Sequence, residues 1–261
     1  MKPLIEVQNL SKSYRIGQRG FGSLRDAFQF WWRETIQKSS GAVDDNNINK
    51  FWALKEVNFS VESGQAVGIL GQNGAGKSTL LRILASLTEP TEGQAILRGR
   101  LASLLEVGSG FHPDLTGREN IYLNGAFLGM KRKEVARQFD AIVDFSENGS
   151  FIDTPVKHYS KGMYTRLAFS VAAHLSADII LLDEVLEMGD VTFQKRAIEK
   201  MVERKKEGKA ILFVSHDSER VESLCDRALQ LDQGHLVYSG DMKNGMQRYL
   251  SQCHLNEDLK I

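Results

Sequence analysis

The sequence predicts an α/β domain. Strand-like apolar runs alternate with helical periodicity, a glycine-rich loop separates one such strand from one such helix, and the block from Leu115 to Leu175 turns mostly helical between two strand-like stretches, as an inserted subdomain would. With 261 residues, 42% of them apolar, the chain can form one large domain, or one domain with a small subdomain, around a sizeable core.

In chain order, Leu4 to Val7 followed by Leu10 predicts a first strand. The stretch from Gly17 to Lys50 differs in composition, being rich in Gly, Arg, Ser, Asn and Asp with an aromatic cluster of Phe28, Phe30, Trp31 and Trp32. Within it Leu24, Phe28, Trp31 and Thr35 recur at helical spacing, which predicts a short amphipathic helix between Ser23 and Ile36, and Gly41 to Asn49 is a polar loop. Ala53 to Val61 is a strand, Glu62-Ser63-Gly64 a turn and Ala66 to Leu70 another strand. A helix then runs from Lys77 to about Leu87, with Leu80, Leu84 and Leu87 on one face and Pro90 just beyond. Ala95 to Leu105, Ile179 to Leu182 and Ala210 to Ser215 are strand-like. Arg227 to Leu231, Asp232-Gln233-Gly234 and Leu236 to Tyr238 form a hairpin, and from about Asp241 a short helix and polar tail follow. There are no internal repeats.

Composition excludes several classes. Lys+Arg and Asp+Glu are both 33, and this balance argues against nucleic acid as a main partner, because neutralising phosphates needs a basic face. Cys225 and Cys253 have neither metal-ligand spacing nor a disulfide framework, which suits a reducing cytosol. Met1 to Leu10 mixes charged and apolar residues, unlike a signal peptide. No apolar run approaches the roughly 20 residues that span a bilayer, so a membrane role is expected to come through a partner.

The chemistry begins at Gly71-Gln72-Asn73-Gly74-Ala75-Gly76-Lys77-Ser78-Thr79, which fits G-x-x-x-x-G-K-[ST] after a strand and before a helix. A glycine-rich turn can match by chance, but this one has both flanking elements. Its glycines let backbone N–H groups curl around the phosphates of a nucleotide, and the helix N-terminus adds its dipole. Lys77 is expected to reach the β- and γ-phosphates and the Ser78 hydroxyl to ligate Mg²⁺. Ile179 to Leu182 ends in Asp183 and Glu184. Alone, paired acids after a strand are a solvated turn; downstream of a phosphate loop, Asp183 is expected to hold Mg²⁺ through water and Glu184 to orient or deprotonate the attacking water. His216 ends the next strand, and because ligands gather at the carboxyl ends of parallel strands it is a candidate γ-phosphate contact rather than an ordinary satisfied histidine. Tyr159-Ser160-Lys161-Gly162-Met163 precedes a helical pattern. On spacing alone it is a helix cap, with Ser160 as N-cap and Gly162 allowing close backbone approach.

Taken together and in this order, the phosphate loop, Ser160-Lys161-Gly162-Met163, Leu182-Asp183-Glu184 and His216 resemble the nucleotide-binding subunit of an ABC transporter, from about Leu4 to Gly240. The resemblance implies a P-loop NTPase core of the ABC ATPase type with an inserted helical subdomain over about 110–175 and an N-terminal antiparallel β part. Residues 1–240 are then the ATP-binding domain, with 17–50 as an insertion and 241–261 as a short C-terminal tail. It implies ATP bound along Gly71, Asn73, Gly74, Ala75, Gly76, Lys77, Ser78 and Thr79, with Mg²⁺ beside it. Ser160 and Gly162 look like the signature motif, which contacts ATP held by a second copy in a head-to-tail dimer around two nucleotides, and Asp190 resembles the loop crossing that interface. Tyr14 falls where the family places an adenine-stacking aromatic; Trp52 is the rival, because the insertion blurs the register.

The usual LSGGQ signature reads Tyr-Ser-Lys-Gly-Met here, and the glutamine facing the membrane subunit, a Mg²⁺ or water contact, is replaced by Glu106. With Thr116 to Asn120 and Gly189 to Gln194, these departures resemble the polysaccharide-exporting branch that serves O-antigen, capsule and teichoic acid. Phe51-Trp52-Ala53-Leu54-Lys55 favours the O-antigen type. That branch implies an integral membrane permease partner that alone touches the glycan, and a peripheral place on the cytoplasmic face of the inner membrane. Ending at Ile261, the chain is expected to lack the long carbohydrate-binding domain of some O-antigen members. Ser23 to Ile36 either contacts the membrane subunit or lipid headgroups, or packs on its own domain. The alternatives are an ATPase for a drug, lipid or ion transporter, a soluble ATP-driven switch, and a scaffold that binds nucleotide without hydrolysis. The polysaccharide-type signature opposes the first, the lack of a second such domain or coiled coil the second, and Lys77, Glu184 and His216 the third.

Overall fold

Two sheets of different character divide the chain. The computed structural model describes residues 2–15, 50–105, 110–127, 129–174, 177–183, 190–215 and 217–258. The sequence-predicted segment from Ser23 to Ile36 lies outside them. An antiparallel sheet contains β1 (Ile5–Arg15), β2 (Lys50–Val61) and β4 (Glu92–Leu97) in the order β2-β1-β4. A larger sheet has the order β5-β6-β7-β3-β8-β9, with β3 (Ala66–Leu70), β5 (Leu101–Ser103), β6 (Ile179–Asp183), β7 (Ala210–Val214) and β8 (Arg227–Asp232) parallel. Only β9 (His235–Asp241) runs antiparallel, joined to β8 by a turn in which Gln233 and Gly234 both have positive φ, the backbone that a two-residue hairpin favours.

The central strands of the larger sheet, β6, β7, β3 and β8, are buried on both faces, which is why β3 and β7 are continuous apolar runs without alternation. Period-two geometry then sorts their side chains into two cores. Val67, Ile69, Ile179, Leu181, Leu212, Val214, Leu229 and Leu231 pack with Ile5, Val7, Leu54 and Val57 of the antiparallel sheet and with Leu80, Leu81 and Leu84 of α1 (Lys77–Leu84). Their neighbours Ala66, Leu70, Ile180, Leu182, Ile211, Phe213 and Ala228 pack against helices on the other side.

Those helices include α2 (Gly117–Phe127), α3 (Arg132–Ser146) and α4 (Lys161–Ala173), then α5 (Val191–Lys206), α6 (Ser218–Leu224) and α7 (Met242–Asp258). Helices α2 and α3 approach closely at Gly125, where a Cβ would come within 2.5 Å of a Val135 methyl. Asn120 is fully buried at the start of α2. Its amide donates to the carbonyls of His112, Leu115 and Thr116 and accepts from the His112 N–H, fixing the chain that enters the helical block. Met242 and Met246 of α7 are buried in the helix-side core.

The structure departs from the sequence expectations in places. The first strand continues to Arg15. The stretch Ala95 to Leu105 is two strands in different sheets, broken at Gly99 (φ +132), where the Asp178 carboxylate accepts the Arg100 N–H. Helix α1 stops at Leu84, because Ser86 turns left-handed and Leu87 is exposed. Helices α5 and α6, which the sequence pattern did not single out, are N-capped by Asp190 and Asp217. No helix among the described residues is long and apolar enough to cross a membrane.

Candidate functional site

Strand order fixes where the site is. Strands β6, β7 and β3 are adjacent and parallel, with Asp183 opposite Val214 and Gly68 opposite Phe213, so Gly71, Asp183 and Ser215 emerge at one edge of the sheet. The loop after β3 is wedged between two neighbours. A Cβ on Gly71 would lie 2.5 Å from the Leu231 carbonyl oxygen of β8, and one on Gly76 would lie 2.5 Å from the Ala53 carbonyl oxygen and 2.8 Å from Leu54 of β2. Gly76 also has φ +107, which a side chain would strain. It is the N-cap of α1 and offers no side-chain acceptor, so the helix presents its amide end and positive dipole to the loop.

Lys77 opens that helix and is only 9% exposed. Its ammonium donates to the Gly71 carbonyl at 2.5 Å and the Gln72 carbonyl at 3.1 Å. A cation held this deep at a helix N-terminus gives the loop a strongly anion-attracting mouth. In front of it lies a cavity of about 260 Å³ lined by Asn73, Gly74, Gly76, Lys77, Ser78 and Thr79 at one end and by Tyr14, Phe51 and Ala53 at the other, with Gln72. The cavity therefore joins an aromatic wall to a cationic, amide-lined throat, the shape and chemistry of a purine nucleotide with its phosphates.

Phe51 is the aromatic that sequence reasoning missed. It pairs with Tyr14 across β1 and β2, while Trp52 pairs with Ser13 and does not line the cavity. Successive residues of a strand face opposite ways, so only one of Phe51 and Trp52 can stand beside Tyr14. The Lys12 ammonium sits 5.2 Å from the Tyr14 ring centroid. Asp183 is partly buried at the tip of β6. Glu106, Glu184 and His216 lie outside the described residues.

Three sequence-predicted residues stand apart from this cavity. Ser160 N-caps α4, its hydroxyl accepting the Met163 N–H at 3.2 Å. At Gly162 a Cβ would meet nothing nearer than the Ser160 hydroxyl at 3.9 Å, so this chain's own packing does not require glycine there. Asp190 N-caps α5 by accepting the Phe193 N–H at 2.9 Å, which holds its carboxyl below the usual carboxylate range, aided by Arg166 of α4 at 3.6 Å. All three belong to helix N-termini, with Ser160 and Asp190 exposed, and none lines the phosphate-loop cavity.

Comparison with known proteins identifies the family and the fold. Residues 54–187 match the family model described as ABC transporter. The chain is 41% identical over 249 residues to the O-antigen export system ATP-binding protein RfbB of Klebsiella pneumoniae, an alignment that covers 95% of this chain and 98% of the relative. It is 39% identical over 250 residues to the teichoic acids export ATP-binding protein TagH of Enterococcus faecalis, covering 96% of this chain and 53% of the relative. Among solved structures, an ATP-binding subunit of an ABC transporter superposes with a TM-score of 0.75 at 22% identity over 97% of this chain and 98% of the other. A dimeric ATP-binding cassette bound to ADP and phosphate does so with a TM-score of 0.69 at 21% identity over 91% and 98%. At those identities the structural likeness speaks to the fold.

Proposed function

The chain belongs to the ABC transporter family and is an ATP-binding, ATP-hydrolysing cassette, and from that premise we propose that it energises the export of a cell-surface polysaccharide, lipid-linked O-antigen in particular, through an integral membrane permease. One observation carries the substrate class: identity to an O-antigen export ATP-binding protein extends along nearly the whole of both chains. The teichoic acid export relative supports the same class of cargo. In this reading the protein sits peripherally on the cytoplasmic face of the inner membrane, and the permease alone contacts the glycan.

The cavity fits ATP. Tyr14, with Phe51 beside it, stacks on the adenine, and the loop from Gly71 to Thr79 receives the phosphates, with Lys77 turning from the loop carbonyls to the β- and γ-phosphates. Ser78 and Asp183, with Glu106 as a further contact, would hold Mg²⁺, which neutralises charge on the phosphates when bound. Glu184 accepts a proton from the attacking water as that oxygen bonds to the γ-phosphorus, while the bond from the γ-phosphorus to the bridging oxygen breaks and leaves ADP and phosphate; His216 steadies the γ-phosphate. Ser160 and Gly162 of a second copy complete the site, and Asp190 crosses between the copies. The exposure of Ser160 and Asp190, and the position of all three residues away from the cavity, support that composite arrangement. Closure of the two copies moves the loop containing Glu106 against the permease.

The test uses two variants. Glu184→Gln retains ATP-driven dimers on size exclusion while phosphate release falls at least about a hundredfold, and unchanged hydrolysis removes Glu184 as the base. In cells, Lys77→Ala leaves polymer unexported, and undiminished surface polysaccharide overturns the assigned cargo.

A further inference from the structure

The far side of the phosphate loop is closed by the C-terminal helix. Residues 72–75 share a recess of about 300 Å³ with Asp232 and Gln233 of the β8–β9 turn and with Gln252 of α7. We propose that Gln252 is a positioning residue for the nucleotide site, acting through Asp232 and the β8–β9 turn; this rests on the phosphate loop being that site.

The polarity of the contacts is forced. A carboxylate only accepts, so Gln252 turns its amide N–H toward Asp232, donating at 3.0 Å, and its oxygen toward Gln230, whose Nε2 donates to it at 2.6 Å. Gln230 is 1% exposed, and its own oxygen, turned away by that geometry, is buried with no partner among the described residues. Leaving a buried amide oxygen unmet is unfavourable, so stability alone does not select this chain of amides in the middle of an apolar strand. What the chain does is tie α7 to the tip of β8.

The tip of β8 is in turn fastened to the phosphate loop. The Gly234 N–H donates to the Ala75 carbonyl at 3.1 Å, and its carbonyl accepts the Lys55 N–H at 2.9 Å, which links the turn to β2 as well. Gly71 lies against Leu231 with no room for a Cβ between them. An outward shift of the turn therefore pulls on Ala75 and opens space beside Gly71, two points on the loop whose amides must converge on phosphate. Helix α7 is held at its start by Met242 and Met246 in the core, and Gln252 supplies the polar anchor near its other end.

Steady-state kinetics on the full chain test this. In Gln252→Leu the KM for ATP rises about three- to tenfold while kcat stays within about twofold. Gln252→Glu keeps an acceptor for Gln230 but sets a carboxylate against Asp232, and raises KM at least as far. Pairing Gln252→Glu with Asp232→Asn exchanges donor and acceptor and returns KM to within about twofold of wild type. Ser251→Ala, the neighbour on α7, leaves KM unchanged. A wild-type KM in Gln252→Leu overturns the proposal, as does a kcat that falls with the melting temperature while KM holds, or failure of the paired exchange to rescue. Wild-type magnesium-dependent turnover is measured alongside: its absence removes the nucleotide reading and this proposal with it, whereas the other failures remove this proposal alone.

Discussion

The phosphate-loop region and the Ser160–Asp190 region differ in how much of their surroundings the chain itself supplies. The loop is enclosed by β2, β8 and α1, its lysine is buried, and two of its glycines have no space for a Cβ. Ser160 and Asp190 are exposed, each committing a side-chain oxygen to its own helix N-terminus, and Gly162 faces open room. The first region is built to hold a ligand within one chain. The second turns two capped helix starts outward, where another molecule can reach Ser160 and Asp190.

The sharpest way to break this contrast is to disable each region separately. Lys77→Ala weakens ATP binding at least about a hundredfold by calorimetry, whereas Gly162→Asp leaves affinity within about threefold yet lowers phosphate release at least about a hundredfold. Loss of affinity in Gly162→Asp would mean that the two regions are not separable. A smaller effect compares glycine with glycine. Gly76→Ala, strained in backbone and wedged against Ala53, lowers unfolding stability by about 2–4 kcal/mol, while Gly162→Ala changes it by less than about 1 kcal/mol, both by denaturant titration. The smallest concerns the aromatic wall. Tyr14→Ala raises the Kd for ATP about tenfold and Trp52→Ala less than about twofold; equal effects would show that the wall is wider than the Tyr14–Phe51 pair.

What the sequence disclosed follows from how local each signal is. The phosphate loop is a contiguous pattern whose glycines answer local backbone demands, and β3, β6 and β7 are continuous apolar runs, so both were legible. Phe51 was not, because the β1–β2 pairing shifts register between Val7 and Leu10, between Leu10 and Lys12, and between Lys12 and Ser13, and each shift changes which aromatic meets Tyr14. Helix α5 was missed because it buries only a narrow stripe, Phe193, Ala197 and Met201, on an otherwise polar helix. The recess behind the loop unites residues 72–75 with residue 252, a contact that no local pattern encodes.

Tyr14 and Phe51 belong to the antiparallel sheet, whereas Lys77 and its loop issue from the parallel one. A molecule seated there bridges two sheets with separate strand ladders, and saturating it at a hundredfold excess over Kd adds about 2.7 kcal/mol against unfolding. Amide protons of β1 and β2, far along the chain from the loop, then exchange more slowly together with those of α1.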